Sequence, residues 1–67
     1  MGLLDNKTTS ERIKAMMAAD GVTQVNMAEI IGVTDVTWRM RMKFNSWKLT
    51  ELELIAGYFG RDLKELV

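Results

Sequence analysis

Apolar positions in this 67-residue chain recur at helical spacing, in blocks set apart by glycines and hydroxyl side chains. Ile13, Met16 and Met17, with Ala15 and Ala19 beside them, make the first stripe. Met27, Ala28, Ile30 and Ile31 make the second. Trp38 and Met42, four apart, make the third. Leu52, Ile55, Ala56 and Phe59 make the fourth, with Leu54 and Tyr58 at its margins. Recurrence at three and four residues marks the buried face of a helix.

The punctuation between the stripes sets the helix ends. Thr8-Thr9-Ser10-Glu11 reads as a capping box, with Thr8 as cap and Glu11 reaching back, and predicts a helix to about residue 19 that Asp20-Gly21 ends by turn chemistry. Thr23 caps a second helix over 24–31, and Thr34 caps a third over 35–43. Thr50-Glu51-Leu52-Glu53 reads as a second capping box, opening a fourth helix that runs to 59 and closes at Gly60. Asp62 opens a last short helix in which Leu63 and Leu66 pack. Gly57 weakens the fourth helix by about 1 kcal/mol relative to alanine, so a close helix contact is expected there. The pattern is all-α, with five helices. Residues 1–7 read as a flexible lead-in and residues 8–67 as one domain.

The stretch 23–43 carries the most information. Two short helices meet at Gly32-Val33-Thr34. The glycine takes a left-handed conformation without a Cβ clash, and Val33 packs in the elbow. Ala28, four residues earlier, is small enough to let the third helix approach the second closely. With Trp38 pointing inward and about 100° of rotation per residue, Val36, Met40 and Lys43 fall on the outward side, with Thr37 and Arg39 on its flanks. Apolar groups and cations mixed on one exposed face have partners in a DNA major groove, where a thymine methyl takes the former and guanine the latter. A helix, a short turn and a second helix is the unit that places a helix in that groove.

Charge sharpens the picture. The net charge is zero, with nine basic and nine acidic residues. Residues 36–50 nevertheless hold four cations (Arg39, Arg41, Lys43, Lys48) and no acid. The absence of Cys and His excludes a disulfide framework and the usual zinc sites. With no glycine-rich phosphate loop and carboxylates scattered over caps and solvent faces, no enzymatic activity and no cofactor are expected. A chain this short buries only about 60% of its unfolded surface, so dimerisation or a ligand is expected to assist it. No apolar run approaches the roughly 20 residues of a membrane span, and the start MGLLDNK lacks the basic and apolar regions of a signal peptide. A cytoplasmic location is expected.

Thr23-Gln24, Ala28, Gly32-Val33-Thr34 and Trp38, followed by IAGYFGRDLKEL, resemble the Cro and cI-type phage repressors, the lambda-repressor-like family. The likeness runs from about residue 11 to 67. It implies a compact five-helix bundle with a helix-turn-helix in its second and third helices, and a homodimer that binds a near-palindromic double-stranded DNA operator in a bacterial host. The recognition helix would carry Thr34, Asp35, Val36, Thr37, Arg39, Met40 and Lys43 to base edges and flanking phosphates. Gln24, at the first turn of the preceding helix, and the loop residues Asn45, Ser46 and Lys48 would hold the backbone. Asp35 either accepts from a cytosine amino group or favours the positive helix N-terminus. Arg41 departs from the pattern. It stands where the family usually has an aliphatic core residue, Met42 takes the inward role, and the recognition helix is then rotated or extended.

Some assignments stay open between core and interface. Phe44 and Trp47 cover the core or stand at a subunit contact, and Leu54, Tyr58, Leu66 and Val67 are candidate dimer residues. Two other functions are compatible with the residues: a protein-interaction module using Val36 and Met40, and an antitoxin-type autorepressor, for which the chain leaves almost no toxin-binding tail.

Overall fold

The computed structural model describes residues 7–66. The expected lead-in over 1–7 therefore lies almost wholly outside the described residues, as does Val67. Four α-helices follow in order: α1 (Thr9–Asp20), α2 (Gln24–Ile31), α3 (Asp35–Phe44) and α4 (Leu49–Phe59). The expected fifth helix is a single 3-10 turn, Leu63–Glu65, capped by Asp62. No strand occurs among the described residues.

The local chemistry explains most of these boundaries. At α1 the Thr8 hydroxyl accepts from the Glu11 N–H at 3.2 Å, and the Thr8 N–H donates to Glu11 Oε1 at 2.8 Å. That backbone donor, then the Thr8 hydroxyl, holds the Glu11 carboxyl below its usual range. Thr23 and Thr34 cap α2 and α3 by accepting from Asn26 N–H and Thr37 N–H. Gly32 ends α2 at φ 77°, a conformation that costs glycine no Cβ clash. Asn45 ends α3 at φ 53° and is the positive-φ non-glycine residue of the described chain.

The start of α4 differs from the sequence expectation. Thr50 is not the cap: the cap is Lys48 and the helix begins at Leu49, two residues earlier than expected, and Glu51 Oε1 accepts from the Lys48 N–H at 3.0 Å. Lysine has no acceptor to complete a reciprocal box. The physical reason is Arg41, whose Nε donates to both Glu51 oxygens at 3.0 and 3.2 Å. Glu51 is thereby turned inward against α3, and this sets the register of the helix start.

The helices pack as a bundle in which α2 lies against α3 and α4, α1 against α3, and the 3-10 turn against α4. The Cα radius of gyration is 11.4 Å, near the roughly 10–11 Å expected of a compact chain this long. Trp38, Ile13, Met27, Ile55 and Leu66 are fully buried; an aliphatic or Met side chain taken from water contributes about 1.5–3 kcal/mol. Met17, Ala28, Ile31, Leu52 and Ala56 complete the core, with Val33, Met42, Trp47 and Phe59 packed at its edge. Ala28 is 2% exposed, as its role between α2 and α3 requires. The Trp38 Nε1 is buried without a hydrogen-bond partner among the described residues.

Three further expectations are corrected. Ala15 and Ala19 are exposed; Met16 packs at the edge of the core beside Ile13 and Met17, and Ser10 is buried with them. Gly57 marks no close contact, since a Cβ built there meets nothing within 4 Å. Leu66 is fully buried, so it belongs to the core and is unavailable to a dimer partner.

Candidate nucleic-acid interface

The outward face of α3 follows from what holds its inward face. Trp38 is fully buried and meets Trp47 edge-on, with ring centroids 5.1 Å apart. Met42 packs beside it. Arg41 does not extend into open solvent: it is ion-paired to Glu51, with side-chain exposures of 22% and 8%. The arginine is accommodated there because α4 supplies a nearly buried carboxylate.

With those three residues facing inward, Val36, Arg39, Met40 and Lys43 are exposed, at 67% for Val36 and 51% for Met40. Phe44 joins them at 60% and is not core. Val36, Met40 and Phe44 stand four apart and form one apolar row, and Lys43 Nζ lies 5.4 Å from the Phe44 ring centroid. The spacing from Val36 through Met40 would have placed Phe44 in this row at the sequence level. Of the four cations in residues 36–50, Arg41 is neutralised by Glu51; Arg39, Lys43 and Lys48 form no ion pair among the described residues.

At the start of α3, the Thr34 hydroxyl accepts the Thr37 N–H at 3.1 Å and donates to the Thr37 hydroxyl at 3.0 Å. Thr34 is therefore occupied as a cap, and Thr37 is half-buried beside it. Asp35 is the exposed first residue of the helix, next to its positive end. Gln24 holds the matching exposed position on α2. Gln24, Arg39 and Lys43 line one groove, whereas the other phosphate-contact candidates lie in the loop after α3.

That loop is tied to the other end of the chain. Asn45 Oδ1 accepts from both the N–H and the hydroxyl of Ser10, at 3.0 and 3.1 Å. Trp47 Nε1 donates to Ser10 Oγ at 3.0 Å. Ser10 is 7% exposed, so these bonds are shielded from competing water. Asn45 consequently has a structural role that its sequence position did not reveal, while Ser46 and Lys48 are exposed beside it. Trp47 is half-buried against the core, one of its two sequence-level alternatives.

No helix among the described residues is long and apolar enough to cross a membrane. Comparison with protein-family models, with curated proteins and with solved structures finds no match to this chain.

Proposed function

We propose that the protein is a sequence-specific, double-stranded DNA-binding transcription regulator of the Cro-like or repressor kind, acting as a homodimer on a near-palindromic operator. One observation carries the reading: α3 is anchored from beneath by Trp38, Met42 and the Arg41–Glu51 pair, while its exposed side presents Val36, Arg39, Met40 and Lys43. A rigidly held helix with unpaired cations and apolar groups side by side has the chemistry of base-edge readout. Arg39 and Lys43 can donate to guanine, and Val36 and Met40 can pack on thymine methyls. The short Gly32-Val33-Thr34 connection between α2 and α3 supports a helix-turn-helix reading. Gln24 and the 45–48 loop flank the helix as backbone contacts, which position the protein without reading sequence. On α4, Leu54 and Tyr58 are about half exposed and supply the candidate dimer surface. A host cytoplasm is the setting that this activity implies.

The deciding experiment is a binding selection against randomised duplex DNA at two salt concentrations. The expected result is one palindromic sequence whose affinity falls steeply with salt, because each neutralised phosphate releases condensed counterion. Absence of enrichment at both salts would reject sequence-specific recognition. A protein-interaction module is the second reading, favoured by the unbroken apolar row Val36, Met40, Phe44. Its partner complex would be nearly insensitive to salt and abolished by Met40→Ala, with DNA binding absent. An antitoxin-type autorepressor would bind its own operator and, in addition, a toxin.

A further inference from the structure

We propose that the groove between α1 and α3 seats the sugar–phosphate backbone of one DNA strand, and that Lys14 of α1 is a phosphate-binding residue of that seat. The inference rests on the DNA-binding reading above and adds to it a second helix and a residue that sequence periodicity merely places off the core stripe.

The groove is open to solvent and has a volume of about 700 Å³. Lys14 enters it from α1, Arg39 and Lys43 enter from α3, and Gln24 stands where α2 begins. Three cations from two helices therefore converge on one concavity, against a single carboxylate, Glu11. None of the three forms an ion pair among the described residues; Lys14 acts on the Glu11 carboxyl only through space, and the three cations can meet an external anion. Met17, Val22 and Met42 line the same groove. Cations interleaved with apolar groups suit a chain in which anionic phosphates alternate with apolar sugar faces better than they suit an isolated inorganic anion. The two lining threonines are already occupied: the Thr8 hydroxyl accepts from Glu11 N–H, and the Thr23 hydroxyl bonds Asn26. Phosphate binding thus falls to Lys14, Arg39, Lys43 and Gln24.

Glu11 opposes the seat electrostatically. Its carboxylate is held at the groove by the Thr8 N–H at 2.8 Å and sets an upper limit on nonspecific affinity. Glu11→Gln keeps an acceptor for Thr8 and removes the charge.

The test compares the wild-type chain, Lys14→Gln and Glu11→Gln for binding to a mixed-sequence DNA duplex over a range of salt concentrations, with thermal melting as a folding control. Lys14 and Glu11 are exposed; Lys14→Gln is expected to melt like wild type, and Glu11→Gln slightly lower, because the Thr8 N–H then bonds a neutral oxygen. If Lys14 neutralises a phosphate, the slope of log affinity against log salt becomes shallower by about 0.9 in Lys14→Gln, the selected sequence stays the same, and Glu11→Gln binds more tightly. Wild-type binding that is salt-sensitive while Lys14→Gln keeps the wild-type slope would overturn the groove assignment and leave the regulator reading standing. A changed base preference in Lys14→Gln would make Lys14 a base reader and overturn its phosphate role. Equal Lys14-dependent binding to polyglutamate would assign the groove to acidic polypeptides. A wild-type chain with no affinity for duplex DNA would remove both readings.

Discussion

Replacing Arg41 by leucine isolates the contact that distinguishes this fold from a purely apolar bundle. Arg41 Nε lies 3.0 and 3.2 Å from the two oxygens of Glu51. The Glu51 side chain is 8% exposed and that of Arg41 is 22%. Without the guanidinium, the nearly buried carboxylate keeps the Lys48 N–H at 3.0 Å as its donor. Breaking one end of a fully buried ion pair costs about 3–5 kcal/mol, and a hydrogen bond to a charged group is worth about 1.5–3 kcal/mol. Arg41 retains some contact with water and Glu51 retains Lys48, so the lower range applies: about 2 kcal/mol. A chain of this length has a total stability of roughly 3–10 kcal/mol, and the loss corresponds to roughly 8–16 °C in Tm. The double variant Arg41→Leu/Glu51→Gln removes the stranded charge and keeps a carbonyl oxygen for Lys48. It is expected to recover at least half of the loss, leaving about 1 kcal/mol or less. Urea unfolding followed by tryptophan emission measures both, since Trp38 is in the core and Trp47 packs on it. A cost below about 0.5 kcal/mol for Arg41→Leu, the scale of an exposed pair, or no recovery in the double variant, would refute the account of α3 as anchored through Glu51.

Three further outcomes follow from the same contacts. Gly57→Ala should stabilise the chain by about 0.5–1 kcal/mol, because a Cβ there meets nothing within 4 Å; a lower Tm would show a contact at that face. Ser10→Ala should cost about 1–3 kcal/mol and shift Trp47 emission to the red, since Trp47 Nε1 loses its acceptor; unchanged emission would show that the loop is held otherwise. Arg39→Ala should weaken operator binding by about 1–3 kcal/mol and relax preference at one base position; an equal loss on every duplex in a competition assay would make Arg39 a backbone contact.

Helix existence, most helix ends and the outward row of α3 were legible in the residues alone. Thr8, Thr23 and Thr34 act on N–H groups three residues away, and helical rotation relates Trp38 to Val36, Arg39, Met40 and Lys43 through the same few residues. Such short-range relations are written directly in the order of the chain. The start of α4 was not legible, because Glu51 serves both Lys48 three residues away and Arg41 ten residues away, and the distant partner set its direction. Ser10 joins Asn45 and Trp47 across 35 and 37 residues, so nothing local marked it as the tie between α1 and the loop after α3. Lys14 and Lys43 share a groove for the same reason. Periodicity tells which face of each helix turns inward. Which outward residues then stand beside one another depends on how the helices cross, and only the packed core decides that.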